Sequence, residues 1–302
     1  MCHSFHGTPG EFRELLRTPV DTVLSFLVRM TAGLLLAGLL SVLLVRCSPG
    51  FGVDERELDP GLSEATRASI RGPLDHHSIL ANYGTVLFKA LHGDLGYSSS
   101  LNAPVTELIA QRAAVTARSV LGGLTLAWAI ALPMAVISVS FRLGSVLFVP
   151  VVTLLMCVPV GLIAVYFFVA GLPAAAVVAA GVAPKVFTYV RQLLTEAEGR
   201  SHVFGAIARG LPAWRVFWMH RALPVAPEVL ALLAVSVTIA LGAAIPAEAL
   251  CDVPGLGQLA WKASFARDTP ALLAITWLLT AMAFTANTLS QSFSRSEKTW
   301  RE

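Results

Sequence analysis

Charge is scarce in this sequence. Only 14% of its 302 residues are Asp, Glu, Lys or Arg, while 55% are hydrophobic, and mean hydropathy is +0.69. Soluble domains carry roughly 25% charge. A core of ordinary size does not hide that deficit, so much of the surface has to face lipid. The net charge of +3 is too small to argue for a nucleic-acid partner and suits Lys and Arg placed in loops beside a membrane. Cysteine is scarce too. Cys2, Cys47, Cys157 and Cys251 form no CxxC pair and have no histidines at ligand spacing, which argues against a metal or redox centre. Cys47 and Cys251 fall on the same expected side, which leaves open a disulfide or, more simply, two free thiols near helix ends.

Other absences narrow the function. No Gly-x-x-x-x-Gly-Lys-Ser/Thr loop is present, so the chain is not expected to bind ATP by that route. The apolar runs hold no Ser/His pair, paired Asp or His-rich cluster for catalysis inside a membrane, and no ion pair suited to proton coupling. The chain is therefore not expected to be an enzyme or to carry a cofactor of its own. No tandem repeat or low-complexity tract is present. A cleavable leader is not expected either: Glu11, Glu14 and Asp21 stand in the first stretch, no basic cluster precedes a short apolar run, and Glu11–Arg17 reads as a short polar helix.

What is abundant is the long uncharged run. Met30–Val45, Ser119–Phe141, Leu143–Pro184, Val229–Ala247 and Thr269–Ser294 contain no charged residue. A charge at mid-bilayer costs about 2.5–3.5 kcal/mol on insertion scales, so such runs are what spanning helices need. As a helix Leu143–Pro184 would reach about 60 Å, twice the ~30 Å hydrocarbon core, and Gly171-Leu172-Pro173 is its natural break. The expectation is an all-α polytopic membrane protein with six transmembrane helices, at 26–46, 119–141, 144–169, 173–192, 228–250 and 270–292. Spans without fixed charge predict a weakly binding cavity.

Arg191, Arg200, Arg209, Arg215 and Arg221 cluster in one loop, Arg295, Lys298 and Arg301 in the tail, and Arg142 after the second span. Six spans with a cytoplasmic N-terminus put all of them inside, as the positive-inside rule requires. Residues 1–25 are then a cytoplasmic N-terminal segment, 47–118 a long external segment, 119–292 the core domain with its cytoplasmic loop at 193–224, and 293–302 a cytoplasmic tail. In the external segment Leu62–Ile70 and Ser78–Leu91 have helical apolar spacing. His92-Gly93-Asp94-Leu95-Gly96 reads as a turn, and Pro104 suits the first residue of a helix over 104–118 that leads into the second span.

The loop 193–224 is longer than a connector needs. It runs from Glu196 through Ala208-Arg209-Gly210-Leu211 to Trp214, Arg215 and His220. Small residues, a Gly and an aromatic, basic stretch would make a docking element for a protein partner or an amphipathic helix lying on lipid headgroups. Glu248, near the outer end of the fifth span, reads as a gate or as a structural cap. Pro133, Pro150, Pro159 and Pro246 read as kinks that membrane spans tolerate. The adjacent His76-His77 cannot both face one ion from a rigid helix, so a solvated loop is the reading there.

Several stretches in fixed order resemble the dipeptide, oligopeptide and nickel permeases of binding-protein-dependent importers. Ala208-Arg209-Gly210-Leu211 followed by His220 is similar to their coupling loop. Ser48-Pro49-Gly50, His92-Gly93-Asp94-Leu95-Gly96-Tyr97-Ser98 with Pro104-Val105, Pro159, Glu248 through Pro254-Gly255-Leu256-Gly257, Arg267-Asp268-Thr269-Pro270 and Asn287 follow the same family pattern. Departures include Phe51 in place of an acidic residue, Arg112-Ala113-Ala114-Val115-Thr116 for Arg-Leu-Pro-Ala-Thr, Ser201-His202 for Asp-Tyr, Ile207 for Arg and Gln291 for Asp. The resemblance implies an ABC importer permease subunit in a bacterial inner membrane. Its implied partners are a second permease subunit, two ATP-binding cassette ATPase subunits that hold ATP-Mg, and an external solute-binding protein that carries most of the specificity. It implies a peptide solute ahead of nickel or sugars. It also implies ATPase coupling through Glu196, Ala208, Arg209, Gly210, Leu211, Trp214, Arg215 and His220, and gate or structural roles for Glu248, Pro254, Gly255, Gly257, Arg267 and Asp268. The rival readings are a secondary transporter or channel, and a non-transporting scaffold subunit descended from permeases.

Overall fold

The computed structural model describes residues 19–47, 79–98 and 100–301. The expectations for Glu11–Arg17, Ser48-Pro49-Gly50, Phe51, Leu62–Ile70 and His76-His77 lie outside them. The described chain is almost wholly helical. In order it forms α1 (Pro19–Cys47), α2 (Ile79–Leu91), the two-residue strands β1 (Tyr97–Ser98) and β2 (Ala103–Pro104), α3 (Val105–Ser140), α4 (Arg142–Cys157), α5 (Val160–Val169), α6 (Ala174–Glu198), α7 (Ser201–Ala208), α8 (Ala213–Arg215), α9 (Ala226–Leu250), α10 (Leu256–Phe265) and α11 (Thr269–Arg301). Between α8 and α9 the chain winds as a π-helix over Val216–Ala222 and a 3₁₀ turn over Leu223–Val225. The strands pair antiparallel, Tyr97 opposite Pro104 and Ser98 opposite Ala103.

Five helical segments are long and apolar enough to cross a membrane, and the α4–α5 pair makes a sixth if counted as one span. This is an all-α polytopic membrane protein, as expected, with two differences in detail. The helix expected at 104–118 and the span expected at 119–141 are one unbroken 36-residue helix, α3, because nothing between Pro104 and Phe141 other than Pro133 interrupts the backbone ladder. The span expected at 144–169 is not a continuous helix. α4 and α5 meet at 98°. The break falls at Val158-Pro159, since Pro159 has no N–H to give the carbonyl four residues back and holds Val158 extended (φ −84°, ψ 123°).

The core forms where α3, α6 and α9 pack. α3 presents Ala127, Ala131 and Ala135 at four-residue spacing, α6 presents Val178, Val182 and Val186, and α9 presents Ala240, Ala244 and Ala247; all are buried together. Small residues let helix backbones approach closely, which is how helices gain packing in a solvent as apolar as their own side chains. α1 is peripheral. It rests on α11, and two side chains, one half-buried and one buried, fix it by hydrogen bonds to consecutive carbonyls: Trp277 Nε1 donates to Leu34 O at 3.1 Å and the Tyr83 hydroxyl to Leu35 O at 2.9 Å. Leu36, Leu40 and Leu44 on α1 and Leu143, Leu147 and Leu154 on α4 are exposed, as a lipid-facing surface requires. Cys47, Cys157 and Cys251 are free thiols.

One expectation about charge is corrected. α6 runs through Pro184 to Glu198 and carries Lys185 near its middle, exposed, so the spans are not free of fixed charge. The uncharged run ends at Pro184, but a membrane helix tolerates proline, and the end of the run is not the end of the helix.

Candidate functional site

Most of the residues that the sequence singles out gather at the two ends of α9, which at 25 residues is about 37 Å long. At its C-terminal end Glu248 is completely buried. Its Oε2 accepts the Thr116 hydroxyl at 3.0 Å and the Gly257 N–H at 2.8 Å, while Oε1 has no partner. The Thr116 hydroxyl oxygen in turn accepts the Leu256 N–H at 2.7 Å. Leu256 and Gly257 begin α10, whose N-cap, Gly255, has no side chain to give. Glu248 therefore caps the neighbouring helix from outside, where a carboxylate favours free N–H groups and the positive end of the helix dipole.

The glycines here follow from that contact. A Cβ on Gly255 would overlap the Glu248 carboxylate, and one on Gly257 would lie 2.7 Å from the Ile245 Cα. One turn before Thr116, Arg112 Nη1 donates to Gln258 Oε1 at 3.1 Å, and Gln258 Nε2 donates to Asp252 Oδ1 at 2.5 Å. Arg112 and Thr116 thus tie α3 by side-chain hydrogen bonds to the α9–α10 corner. Pro254 lies in that corner. Nothing in the local sequence pairs Thr116 with Glu248.

A second knot lies beside the first. Asp268 is buried at the N-cap of α11, where Oδ1 accepts the Ala271 N–H at 3.3 Å. Its Oδ2 accepts the Ser98 hydroxyl at 2.6 Å and the Ser100 hydroxyl at 2.7 Å. The β1–β2 hairpin is thereby moored to the start of the last span, joining the His92–Ser98 stretch to Arg267-Asp268. Arg267 adopts φ 53°, where it closes the end of α10 with the Asp268 N–H bonded to Ala263 O at 2.9 Å. Replacing Asp268 with alanine removes the cap and strands two hydroxyls, together about 2–3 kcal/mol. Limited proteolysis should then cut the 97–104 hairpin faster than in wild type, and Asp268→Asn should recover part of the protection. Unchanged cleavage in the alanine variant would show that Asp268 does not hold the hairpin.

At the other end of α9 stands the loop 193–224. α7 is two turns long. It buries Val203 and Ala206 against Val216 and Leu211 and exposes Phe204 (62%) and Ile207 (52%). Its end explains the Ala208-Arg209-Gly210-Leu211 motif. Gly210 adopts φ 73°, its N–H bonds to Ile207 O at 2.9 Å, and the Leu211 N–H reaches Ala206 O at 3.3 Å. With Leu211 packed on Ala206, this is a complete Schellman cap, which requires a left-handed residue followed by an apolar one.

The Trp214 and Arg215 side chains are exposed, the Arg215 guanidinium lying 5.6 Å from the Trp214 ring centroid. The carbonyl of His220 takes His202 Nε2 at 3.1 Å. Glu196 is exposed and accepts Gln192 Nε2 at 2.9 Å. The link from α6 to the π-helix instead comes from Glu198, which pairs with Arg221 at 3.0 Å. Sequence reading did not single out Phe204 or Glu198 and noted Ile207 only as a departure from the resembled pattern. The apolar pair was visible only as part of an eight-residue amphipathic stretch, too short to show which face is free.

The arrangement is a short helix with an exposed apolar face, joined through the π-helix, the 3₁₀ turn and α9 to a buried polar knot at the far end. No curated protein matches the chain. The family model of the binding-protein-dependent transport system inner membrane component matches residues 123–296, from the second span through the last and including α7 and the Glu248 corner, and the chain belongs to that family.

Proposed function

We propose that the chain is the permease subunit of an ATP-driven importer, that it pairs with a second permease, and that its transported class is peptides. Partner ATPases dock on α7 and drive alternating access, and a solute-binding protein delivers cargo on the opposite face. The observation that carries this reading is the free apolar face of α7. Phe204 and Ile207 project from a helix whose other face is fully packed, and an exposed aromatic–aliphatic pair flanked by Trp214 and Arg215 is the composition of a protein-binding anchor.

Motion applied to α7 has a stiff route inward. Val203 and Ala206 press on Val216, the π-helix is clamped to α6 by Glu198–Arg221, and α9 continues from it to the Glu248 corner. ATP-Mg belongs to the partner subunits in this reading, and this chain performs no hydrolysis. Both termini lie in the cytoplasm, consistent with the basic loop 193–224. The family's peptide and nickel members, together with the His-Gly-Asp-Leu-Gly and Arg-Asp-Thr-Pro stretches, favour peptides.

A mild-detergent pull-down of the tagged chain tests it. Wild type should recover a P-loop ATPase and a second permease, and a Phe204→Glu, Ile207→Glu variant should keep the permease and lose the ATPase. If wild type brings down an intact membrane complex without any ATPase, the channel or scaffold reading replaces this one.

A further inference from the structure

The charged residue that the sequence reading passed over lies in the middle of a span. Lys185 is about 16 Å along α6 from Ala174, so a ~30 Å hydrocarbon core that begins at Ala174 puts it near mid-depth. Lys185, Thr188, Tyr189 and Gln192 follow one another at helical spacing on a single face, and all four are exposed. Val182, Val186 and Val190 on the other face are buried. Among the described residues no side chain pairs with Lys185. The next acid on the helix, Glu196, is engaged by Gln192.

Lipid does not solvate such a face. An ammonium at mid-depth costs about 2.5–3.5 kcal/mol on insertion scales, and the Tyr189 phenol adds to it, whereas the Thr188 hydroxyl and the Gln192 amide are bonded along the helix to Pro184 O and Glu196. The neighbouring element independently points to water. The α4–α5 break leaves Val158 and Pro159 exposed with non-helical backbone, a state found at membrane depth only inside protein or along an aqueous cavity. Thr188, whose hydroxyl donates to Pro184 O at 2.8 Å, brings the two features together, its Oγ1 lying 3.7 Å from Met156 Sδ.

We infer that this face of α6, together with the α4–α5 break, lines the solute path and that Lys185 is a transit site for an anionic group, of which a peptide carboxylate is the fitting example. The identity of that anion as cargo rests on the importer reading; the path itself does not. The polar face extends from Lys185 to Gln192, about 10 Å along the helix. That is the length of a track along which a ligand exchanges contacts. A single acid fixed on a neighbouring subunit would meet only its first residue.

The test uses the assembled complex with Cys2, Cys47, Cys157 and Cys251 changed to serine. Reporter cysteines are placed at Thr188→Cys or, independently, Gln192→Cys, with Leu147→Cys as the lipid-facing control. Two thiol reagents are compared, the anionic 2-sulfonatoethyl and the cationic 2-(trimethylammonium)ethyl methanethiosulfonates. Both reporters should react while Leu147→Cys stays silent. Introducing Lys185→Gln should lower the anionic-to-cationic rate ratio by roughly tenfold, the scale on which one focused charge enriches counter-ions, and Lys185→Arg should preserve it. The inference is overturned if both reporters are as unreactive as the control, if the ratio ignores Lys185, or if the reporters react only after the chain is separated from its neighbouring subunits, which would make the face a subunit contact. This readout needs neither ATP hydrolysis nor a known solute. A silent reporter therefore leaves the importer reading standing, and a missing ATPase in the pull-down leaves the path standing.

Discussion

Replacing Glu248 with alanine should lower the thermal midpoint of the purified complex by about 10 °C, from a loss of about 4 kcal/mol at about 2–4 °C per kcal/mol. Two buried donors lose their acceptor at once, the Gly257 N–H and the Thr116 hydroxyl, and each unsatisfied donor costs about 1–3 kcal/mol. The space vacated between Gly255 and α3 adds a cavity term. Because Glu248 caps α10 from another helix, the damage should concentrate there. Hydrogen exchange at the first turn of α10 should rise more than in the α3–α6 core.

Glu248→Gln keeps an acceptor for the same two donors and should retain most of the stability. If alanine and glutamine behave alike and both match wild type, the carboxylate does not hold this corner, and the gate reading of Glu248 regains force. Thr116→Val offers a cross-check. It removes one donor to Glu248 and the acceptor for the Leu256 N–H, so its effect should be non-additive with that of Glu248→Ala.

If partner ATPases dock on α7 as proposed, Gly210→Val should uncouple them without dismantling the membrane part. A β-branched residue at φ 73° is strained by about 1–2 kcal/mol. α7 has only eight residues, well under the ~12–15 at which an isolated helix begins to hold in water. What keeps it formed is its Schellman cap and the Val203–Ala206–Leu211–Val216 cluster, and valine removes the first. A loss of about 1.4 kcal/mol at the docking helix is a tenfold loss of affinity, so ATPase co-purification should fall by about an order of magnitude while the second permease is retained.

No atom lies within 4 Å of where a Gly210 side chain would project. A steric explanation therefore predicts little change for a small residue, whereas the conformational one predicts that Gly210→Asn, which tolerates the left-handed region, outperforms both Gly210→Ala and Gly210→Val. If all three variants recover the ATPase as wild type does, the motif is not the cap of the docking helix.

The particular residues show where each kind of information resides. Uncharged runs long enough to cross a bilayer are a property of composition along a line, because a single charge at depth costs more than local context returns, so the all-α membrane fold and most of its spans were legible from the sequence. Gly210 was legible as a special position in Ala208-Arg209-Gly210-Leu211, but the Schellman cap it makes was seen only in the structure. The direction of the α4–α5 bend was not legible. A proline says that a ladder breaks, and packing then decides between a shallow kink and 98°.

Nor was it legible that Glu248 meets Thr116 and Asp268 meets Ser98, pairs separated by 132 and 170 residues. Such bonds depend on which helix faces which, and helices in lipid choose their neighbours by surface fit among small residues. The sequence by itself determined a chain that spans a membrane and presents a basic, aromatic element at one side. Only the tertiary structure decided which face of that element is free, which carboxylates are structural caps, and that Lys185 lies on an exposed face with no side-chain partner among the described residues. Exposure and pairing are relations between segments, which linear patterning does not encode.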